Sequence, residues 1–389
     1  MFDIIIANFG FWLNLIIPIA IALYLSITHR EYIWKEFAIQ SGATLLYVSL
    51  IFTLLFSTTT DLMDTEFWNG QVSKFEYYEE WDEEVTYQES YECGTSKNPR
   101  TCYRTKTRID HHSPYWKILT TNDETISINR SEYRVASNQF GHKEINLFRS
   151  NQVSFGDGNK FVSYPNIIIP TSVAHNYTNL VTAAKDNVIH TKVSQEVITQ
   201  LTKVGKLREY PRQYSDQYGA TKLNRIIDTT GKTNVGELLK RLNSFSATHG
   251  SSKQVNPIIY ITDQDRTFKA ALEQYWNKAK KNDIVLILGL DGDMIAWSDV
   301  IAWTNNSDFI VDCGYEFDTF KINDFDKIVG RFSNLIIKSY ERKPMEEFAY
   351  LKENITLEWY WQALVLLGNI IMSFFIMRYM LSNYERKRF

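Results

Sequence analysis

The sequence predicts an α+β membrane protein in which three transmembrane helices carry one large insert outside the cytoplasm. Long uncharged apolar runs stand near both ends of the 389-residue chain, and a long polar centre separates them. The first part of this centre alternates polar and apolar residues, which is typical of β-strands. In its second part helix and strand patterns alternate, which is typical of an α/β sandwich.

Three segments match a transmembrane helix, which needs about 20 apolar residues. They are "FGFWLNLIIPIAIALYLSI" at 9–27, "FAIQSGATLLYVSLIFTLLFS" at 37–57 and "WYWQALVLLGNIIMSFFIMRYML" at 359–381. A cleaved signal peptide is the alternative for the first segment, but a basic leader and a small-residue cleavage motif are missing. Asn14 and Pro18 are tolerated where they face neighbouring helices.

The third segment contains residues suited to the membrane interface. Trp359, Tyr360 and Trp361 predict an aromatic belt at the level of the headgroups. Arg378, near the other end, can extend its charge towards water, so we interpret it as an anchor and not as a functional intramembrane charge. The lipid bilayer is therefore the first expected partner of the chain.

Basic residues predict the orientation, because lysine and arginine concentrate in cytoplasmic segments. Arg30 and Lys35 lie in the segment 28–36, whereas Asp3 is the charged side chain before the first span. The tail 382–389 carries Arg386, Lys387 and Arg388. Both segments are expected in the cytoplasm. The N-terminus and the insert, residues 58 to 358, are then periplasmic or extracellular.

Composition limits the partners of the insert. The chain has a net charge of −3 and 22% charged residues, so nucleic acid is not an expected partner. Aromatic residues make up 14% of the chain, which argues against disorder. Other membrane or envelope proteins are the expected partners besides lipid.

Cys93 and Cys102 predict a disulfide, because thiols oxidise outside the cytoplasm. Alternating residues on both sides of the pair predict a β-hairpin. If the cysteines faced each other, the cross-strand pairs would be Glu89 with Lys106 and Tyr91 with Arg104. The acidic strand would then be neutralised by its own basic partner strand.

Two alternatives remain open for this hairpin. Its acidic strand could bind cations or a basic partner. Zinc is a weaker alternative at Asp110, His111 and His112, because adjacent histidines point to opposite faces of a strand. Cys313, in the apolar stretch "FIVDCGYEF", is expected to be a small buried residue.

The region 58–199 predicts a β-rich unit. The segments "ETISINRSEYRVASNQF", "KEINLFRSNQVSF" and "GDGNKFVSY" are each interpreted as antiparallel strands. Pro165 and Pro170 bracket an extended connector, since the residue before a proline avoids helical geometry.

The region 200–345 predicts an α/β sandwich, followed by a connector at 346–358. Apolar stripes predict helices at 235–249, 267–281 and 324–340. Between them lie a buried strand, "NPIIYITD", and two strands joined at Asp291-Gly292, a strong hairpin signal. This order predicts a sheet covered by helices.

Residues 200–340 resemble the TPM domain, an extracytoplasmic α/β fold usually tethered by a membrane helix. The stretches "IIYITD", "ALEQYWNKAKKND" and "IVLILGLDGDMIAW" carry the resemblance. Some members of the family are described as acid phosphatases or calcium binders, and others serve in complex assembly, repair or receptor maturation. The glycine-flanked stretch usual after the hairpin is reduced here to "CGYEF".

The arrangement of the ends of the insert is also similar to membrane proteins carried by large tailed bacteriophages. "DTEFWNG" follows the second span, the cysteine hairpin comes next, and "RKPMEEFAYLKENI" precedes the last span. This resemblance implies a setting in which a phage protein modifies the envelope of its host.

Carboxylates in loops suggest a calcium or magnesium site, because these ions prefer oxygen ligands. The candidate ligands are Asp291, Asp293, Asp299, Asp263 and Asp265. The alternative is that these residues serve only as turn residues at strand ends.

The sequence contains no G-x-S-x-G and no H-E-x-x-H motif, and no catalytic residue is predicted. It therefore favours a non-catalytic interaction or assembly domain that binds envelope or membrane partners. The alternatives are a calcium- or magnesium-dependent phosphatase of the TPM type, and a phage modifier of the host envelope that excludes other phages.

Overall fold

The computed structural model describes residues 2–28, 34–60, 62–95, 98–153, 158–184 and 193–388. Arg30, used above to predict orientation, lies outside these residues. The side chains of the basic tail, 382–389, lie outside them too. Each statement below concerns the described part of the chain.

The helices include a long one near each end of the chain. They are α1 (Phe2–Ala7), α2 (Phe9–Thr28), α3 (Trp34–Thr59), α4 (Arg130–Phe140), α5 (Leu180–Ala183), α6 (Gln195–Lys203), α7 (Val235–Lys253), α8 (Phe268–Tyr275), α9 (Ser307–Cys313), α10 (Phe325–Ser339) and α11 (Trp359–Arg388). A 3₁₀ helix spans Met345–Asn354.

The described strands form four sheets between the terminal helices. They are β1 (Met63–Tyr78), β2 (Trp81–Thr95), β3 (Asn98–His112), β4 (Tyr115–Thr120), β5 (Thr125–Ile128), β6 (Lys143–Ile145), β7 (Lys160–Ser163), β8 (Pro170–Thr178), β9 (Gln213–Ser215), β10 (Thr221–Leu223), β11 (Ile226–Asp228), β12 (Asn256–Thr262), β13 (Asp283–Asp291) and β14 (Met294–Ala302). The fold is therefore mixed α+β with a sizeable β-rich region.

Helices α2, α3 and α11 pack against one another as a bundle. Two of them contain segments long and apolar enough to cross a membrane, Phe37–Thr59 in α3 and Trp359–Tyr379 in α11. The apolar segment of α2, Phe9–Tyr24, is shorter. The described chain thus has two candidate membrane-spanning helices and a third apolar helix beside them.

The short helix α1 lies at the end of the bundle where the folded domain stands. Asn8, directly after α1, donates through Nδ2 to the backbone oxygen of Ile355 at 3.2 Å. Ile4 and Ile5 are buried in one apolar cluster with Phe348 of the 3₁₀ helix. The beginning of the chain and the domain therefore share one side of the bundle.

The β-rich region is organised by the long strand β1. Its first half pairs with β8 and its second half with β4 and β7 in antiparallel register. Phe75 and Ile118, which face each other across β1 and β4, are fully buried in the core of this region. Glu76 points to the opposite face, where Lys74 and Lys160 contact its carboxylate at 2.9 and 2.6 Å.

Two predicted strands of this region are wrong in part. Among its described residues "KEINLFRSNQVSF" forms a strand only at Lys143–Ile145, and the second half of "ETISINRSEYRVASNQF" forms helix α4. Asn129 caps the helix by accepting from the backbone N–H of Glu132 at 3.0 Å. Glu132 accepts in return from the backbone N–H of Asn129 at 2.7 Å. This capping box, with Tyr133 and Ala136 buried on one face, favours the helix.

The region after residue 200 contains a four-stranded sheet in the order β11-β12-β13-β14. The pairs β11–β12 and β12–β13 are parallel, and β13–β14 is the predicted hairpin, turning at Gly292 and Asp293. Ile259, Leu286 and Leu288 pack towards helices α7, α9 and α10. Alternate residues, such as Tyr260 and Ile287, pack towards α8 and α6. Helices thus cover both faces of the sheet.

The helix predicted at 267–281 ends early, since α8 stops at Tyr275. Asn277, Lys278 and Ala279 follow with φ of 49°, 65° and 61°, three consecutive left-handed residues that are not glycine. Such residues are unfavourable for side chains with a Cβ. The indole N–H of Trp276 donates to the backbone oxygen of Arg208 at 2.9 Å and anchors this turn.

Candidate functional site

Strands β2 and β3 form a two-stranded sheet of their own, which we call the arm (Trp81–Thr95 and Asn98–His112). Each strand has 15 residues, so the arm reaches about 50 Å at 3.3 Å per residue. Contacts with residues 149–153 hold its base, including the backbone N–H of Val153 donating to Asp82 at 3.0 Å. Between Val85 and Arg108 the described backbone hydrogen bonds of the arm are all internal.

The disulfide joins Cys93 to Cys102, but the two residues do not face each other. Tyr91 lies opposite Cys102 and Glu89 lies opposite Arg104, so the predicted register is wrong by two residues. The Cα atoms of the cysteines are 5.7 Å apart, within the range of a disulfide, so a diagonal pair can be bridged.

The predicted contact of Glu89 with Lys106 forms in spite of this register, and Arg104 contacts the same carboxylate. Its carboxylate accepts from Arg104 Nε at 2.6 Å and from Lys106 Nζ at 2.9 Å. Lys106 is a diagonal neighbour and long enough to reach. Hydrogen bonds from Lys106 and Arg104 hold the pKa of Glu89 below its usual range.

Hydrogen bonds between histidines and carboxylates and a cation–π contact also link the two strands of the arm. His111 lies 2.8 Å from Asp82 and His112 lies 2.9 Å from Glu83, so the carboxylates of the acidic strand contact these histidines. On the same face as Glu89, the guanidinium of Arg104 lies over the ring of Tyr91 at 5.5 Å. Among the described residues no group of three or more metal-ligating side chains forms, in the arm or elsewhere.

A second polar site lies at the junction of the β-rich region and the α/β region, around Arg225. This side chain is 1% exposed, and its hydrogen-bond partners among the described residues are all neutral: Asn69, Ser172, Asn243 and Asn256. Burial lowers the pKa of Arg225 to about 10. The four partners come from β1, β8, α7 and β12, so one guanidinium joins both regions.

Asp283 continues this network on the other side of Asn256. Its carboxylate accepts from Asn256 Nδ2 at 2.8 Å, from Tyr210 Oη at 3.0 Å and from the backbone N–H of Lys280 at 2.8 Å. Burial raises the pKa of Asp283 to about 6, against the opposing effect of these bonds. Its buried neighbour Tyr210 has a pKa raised well above the usual value, first by burial and then by the charge of Asp283.

An open cleft of about 610 Å³ lies beside this network. The ammonium of Lys280 bonds to the carboxylate of Asp64 and lies 5.3 Å from the ring centroid of Tyr210. Asp64 also accepts from Tyr177 Oη at 3.0 Å and Asn179 Nδ2 at 2.9 Å. These charged groups satisfy one another, so the cleft is a well-bonded junction between the two regions.

Three of the five aspartates predicted as metal ligands have other partners. Asp263 pairs with Lys206 at 2.6 Å and Asp299 pairs with Lys269 at 2.7 Å. Asp265 accepts from the backbone N–H of Thr267 at 2.9 Å, as a turn residue does. Asp291 and Asp293 flank Gly292 at the tip of the β13–β14 hairpin, and no third metal-ligating side chain from the described part of the chain joins them there.

The residues predicted as membrane anchors lie on α11. Trp359 and Tyr360 are exposed in its first turn, whereas Trp361 packs against the apolar cluster at the top of the bundle. Arg378 is exposed near the other end of the described side chains. Cys313 is fully buried, as predicted.

Sequence reasoning missed Arg225, Asp283 and Lys280. Arg225 bonds to Asn69 over a separation of 156 residues, and Lys280 bonds to Asp64 over 216. Contacts at such separation leave no local pattern. An arginine in the polar stretch "TKLNRIID" carries no signal of burial.

Comparison with protein-family models, with curated proteins and with solved structures finds no match for this chain. The resemblances to the TPM domain and to phage membrane proteins therefore stay predictions.

Proposed function

We propose that this chain is a three-pass membrane protein whose folded part lies outside the cytoplasm and binds another membrane or envelope protein through the arm. The proposal has two components, the orientation of the chain in the membrane and the binding surface. The arm supports the second component, since no described residue outside the arm pairs with its two edges between Val85 and Arg108.

Three observations support the orientation. α1 and the folded domain share one side of the bundle, which an odd number of crossings between α1 and the C-terminal tail would produce. The disulfide Cys93–Cys102 is typical of an oxidising compartment. The basic residues at Lys35 and in the tail 382–389 belong to the opposite side, which the charge rule assigns to the cytoplasm.

The arm supports the binding surface because it contributes little to the core of the protein. A two-stranded ribbon is at best marginally stable in water, so a disulfide and cross-strand ion pairs that hold it together indicate a role beyond folding. Tyr103 and Ile109 are exposed on the face opposite Glu89. Exposed apolar side chains on a strand with a free edge favour association with another strand.

The expected partner is therefore a protein that adds an extended segment to the edge of the arm. In this mode main-chain hydrogen bonds supply affinity, while side chains that alternate along the strand supply specificity. A partner in the same membrane or in the envelope fits, since the arm projects from a domain tied to the bilayer at both its ends.

Site-specific photocrosslinking in living cells tests the arm. A photoreactive amino acid replaces Tyr103 in one variant and Tyr315 in a control; both tyrosines are 67% exposed, but Tyr315 lies in the α/β region. We expect a discrete crosslinked product from position 103 that is missing from position 315. The arm is not the binding surface if position 103 yields no product, or if both positions yield the same one.

A further inference from the structure

The two edges of the arm differ in how much of their length is free. At its base β2 bonds to the rest of the fold, because the backbone N–H of Glu84 donates to Asn151 at 2.9 Å and the backbone oxygen of Asp82 accepts from Val153 at 3.0 Å. Along its whole length β3 makes no backbone hydrogen bond to a described residue outside the arm. Alternate residues of an edge strand direct their N–H and C=O groups away from the sheet. The edge of β3 therefore offers more room for an added strand.

The same strand carries basic side chains on one of its faces. Arg100, Arg104, Lys106 and Arg108 occupy alternate positions, so they share one face of the arm. The four residues of β2 that lie directly opposite them include a single carboxylate, Glu89. The side chains of Arg104 and Arg108 are 55% and 61% exposed, so their charges are accessible to a ligand.

Contacts within the arm neutralise only part of this charge. Glu89 contacts two of the four cations, and Asp110 contacts a third at 2.9 Å. The side chain of Arg100 has no ion-pair or hydrogen-bond partner among the described residues. Four cations thus face two carboxylates in this part of the arm. The excess positive charge attracts groups of the opposite sign.

Glu89 shows how a carboxylate on a neighbouring strand meets these cations. It lies directly opposite Arg104 and reaches Lys106 diagonally, with distances of 2.6 and 2.9 Å from its carboxylate oxygens to the two nitrogens. A strand added on the other side of β3 would lie at the usual spacing of about 4.8 Å. Carboxylates at alternate positions of that strand would then face the same cations from the free edge.

We propose that the partner of the arm supplies an acidic extended segment, which adds to the edge of β3 with its carboxylates at alternate positions. This inference rests on the proposed function, because it specifies the segment that the arm binds. Main-chain hydrogen bonds hold the segment, and its carboxylates make the interaction specific. A neutral segment would leave the excess charge of β3 without a counter-charge.

Binding of synthetic peptides to the full chain in detergent, measured by fluorescence anisotropy, tests this inference. The probe is a peptide of about ten residues that alternates glutamate with threonine. One control has glutamine in place of glutamate, and a second keeps the glutamates but has all its backbone nitrogens methylated. We expect the acidic peptide to bind about tenfold more tightly than either control, and more weakly as the concentration of sodium chloride rises.

Arg100→Glu tests whether the charge of β3 selects the segment. It should weaken binding of the acidic peptide several-fold, and it leaves the internal ion pairs of the arm in place, since Arg100 takes part in none of those described. Arg134→Glu, at an exposed position of α4, is the matched control and should bind the peptide as the native chain does.

Two results with the peptides would overturn the inference. Equal binding of the glutamate and glutamine peptides would show that charge does not select the segment. Equal binding of the methylated and unmethylated acidic peptides would show that an anion suffices and that no strand is added.

Photocrosslinking at position 103 separates this inference from the proposed function. If position 103 yields its product but the acidic peptide does not bind, the arm is the binding surface and the acidic segment is wrong. If position 103 yields no product, the proposed function is wrong, and this inference falls with it.

Discussion

Asn369 donates through Nδ2 to the backbone oxygen of Asn14 at 3.0 Å, and this oxygen is the one that Pro18 leaves without its helical donor. In a regular helix the N–H of residue 18 would bond to the carbonyl of residue 14, but proline has no N–H. A side chain on a neighbouring helix therefore replaces the missing bond. This contact fixes α11 against α2 at one level of the bundle.

The first prediction is that Asn369→Leu destabilises the bundle more where Pro18 is present than where it is replaced. The freed carbonyl then has no donor, and interhelical hydrogen bonds in membranes contribute about 0.6–1.7 kcal/mol. In the Pro18→Ala background residue 18 has its own N–H, so the same substitution should cost less by about 1 kcal/mol. Unfolding of the four variants in mixed micelles measures the difference. An equal cost in both backgrounds contradicts the pairing.

The second prediction concerns Arg225. Arg225→Lys should lower the free energy of unfolding by about 3 kcal/mol, because an ammonium cannot keep the forked bonds to Asn69, Asn243 and Asn256 in a buried site. Arg212→Lys is the matched control, since the side chain of Arg212 is largely exposed. Urea unfolding of the full chain in detergent measures both. If the two variants unfold at the same urea concentration, the forked hydrogen bonds of Arg225 do not stabilise the junction.

The third prediction follows from the raised pKa of Asp283. Its pKa is about 6 in the folded chain, against an ordinary value of 3.8. Between pH 4 and 6 the folded chain keeps a proton that the unfolded chain loses, so this group makes the protein less stable as pH rises through this window. Asparagine cannot ionise, so Asp283→Asn should reduce the loss of stability between pH 4 and 6. Urea midpoints at several pH values from 4 to 6.5 measure the slope.

Glu76 is a control for Asp283, because its ionisation changes the stability of the fold in the opposite direction as pH rises. Burial alone would raise its pKa, but hydrogen bonds from Lys160 and Lys74 lower it to about 2. This group therefore stabilises the chain above its ordinary pKa, and the contribution is lost as pH falls from 4.5 to 2. Glu76→Gln should leave the slope between pH 5 and 6.5 unchanged. Identical slopes in native and Asp283→Asn protein over this range would show that Asp283 does not titrate there.

The fourth prediction is that the disulfide stabilises the arm and not the rest of the fold. Closing a loop of this size contributes about 2–3 kcal/mol, and the arm shares few contacts with the rest of the fold. Replacing Cys93 and Cys102 by alanine should speed amide exchange between Gln88 and Thr105 at least tenfold. Exchange in β12 and β13 should not change. Faster exchange in those strands would mean that the arm supports the core.

The local elements of the fold could be predicted where short-range chemistry decides them. The dipeptide Asp291-Gly292 predicted the β13–β14 hairpin, and apolar stripes predicted α7 and α10. Helix α4 shows how such reasoning fails. Asn129 and Glu132 form a capping box that was visible as N-x-x-E, but alternating residues around it suggested a strand.

The register of the arm and the contacts at the junction could not be predicted from local sequence patterns. Cys93 and Cys102 can form a disulfide either from facing or from diagonal positions, and the sequence does not distinguish the two. Arg225 and Lys280 obtain their partners only when the two regions meet. The contact between Asn369 and Asn14 likewise depends on which turns of α2 and α11 stand at one level.

The orientation of the chain is the central claim, and labelling of single cysteines tests it most directly. Val204→Cys places a thiol on an exposed site of the folded domain, and Lys35→Cys places one at the exposed start of α3. Each is made with Cys313→Ala and treated with a membrane-impermeant maleimide in sealed, right-side-out membranes. We predict that Val204→Cys is labelled at once and Lys35→Cys only after the membrane is opened. Labelling of Lys35→Cys alone in sealed membranes would contradict the account.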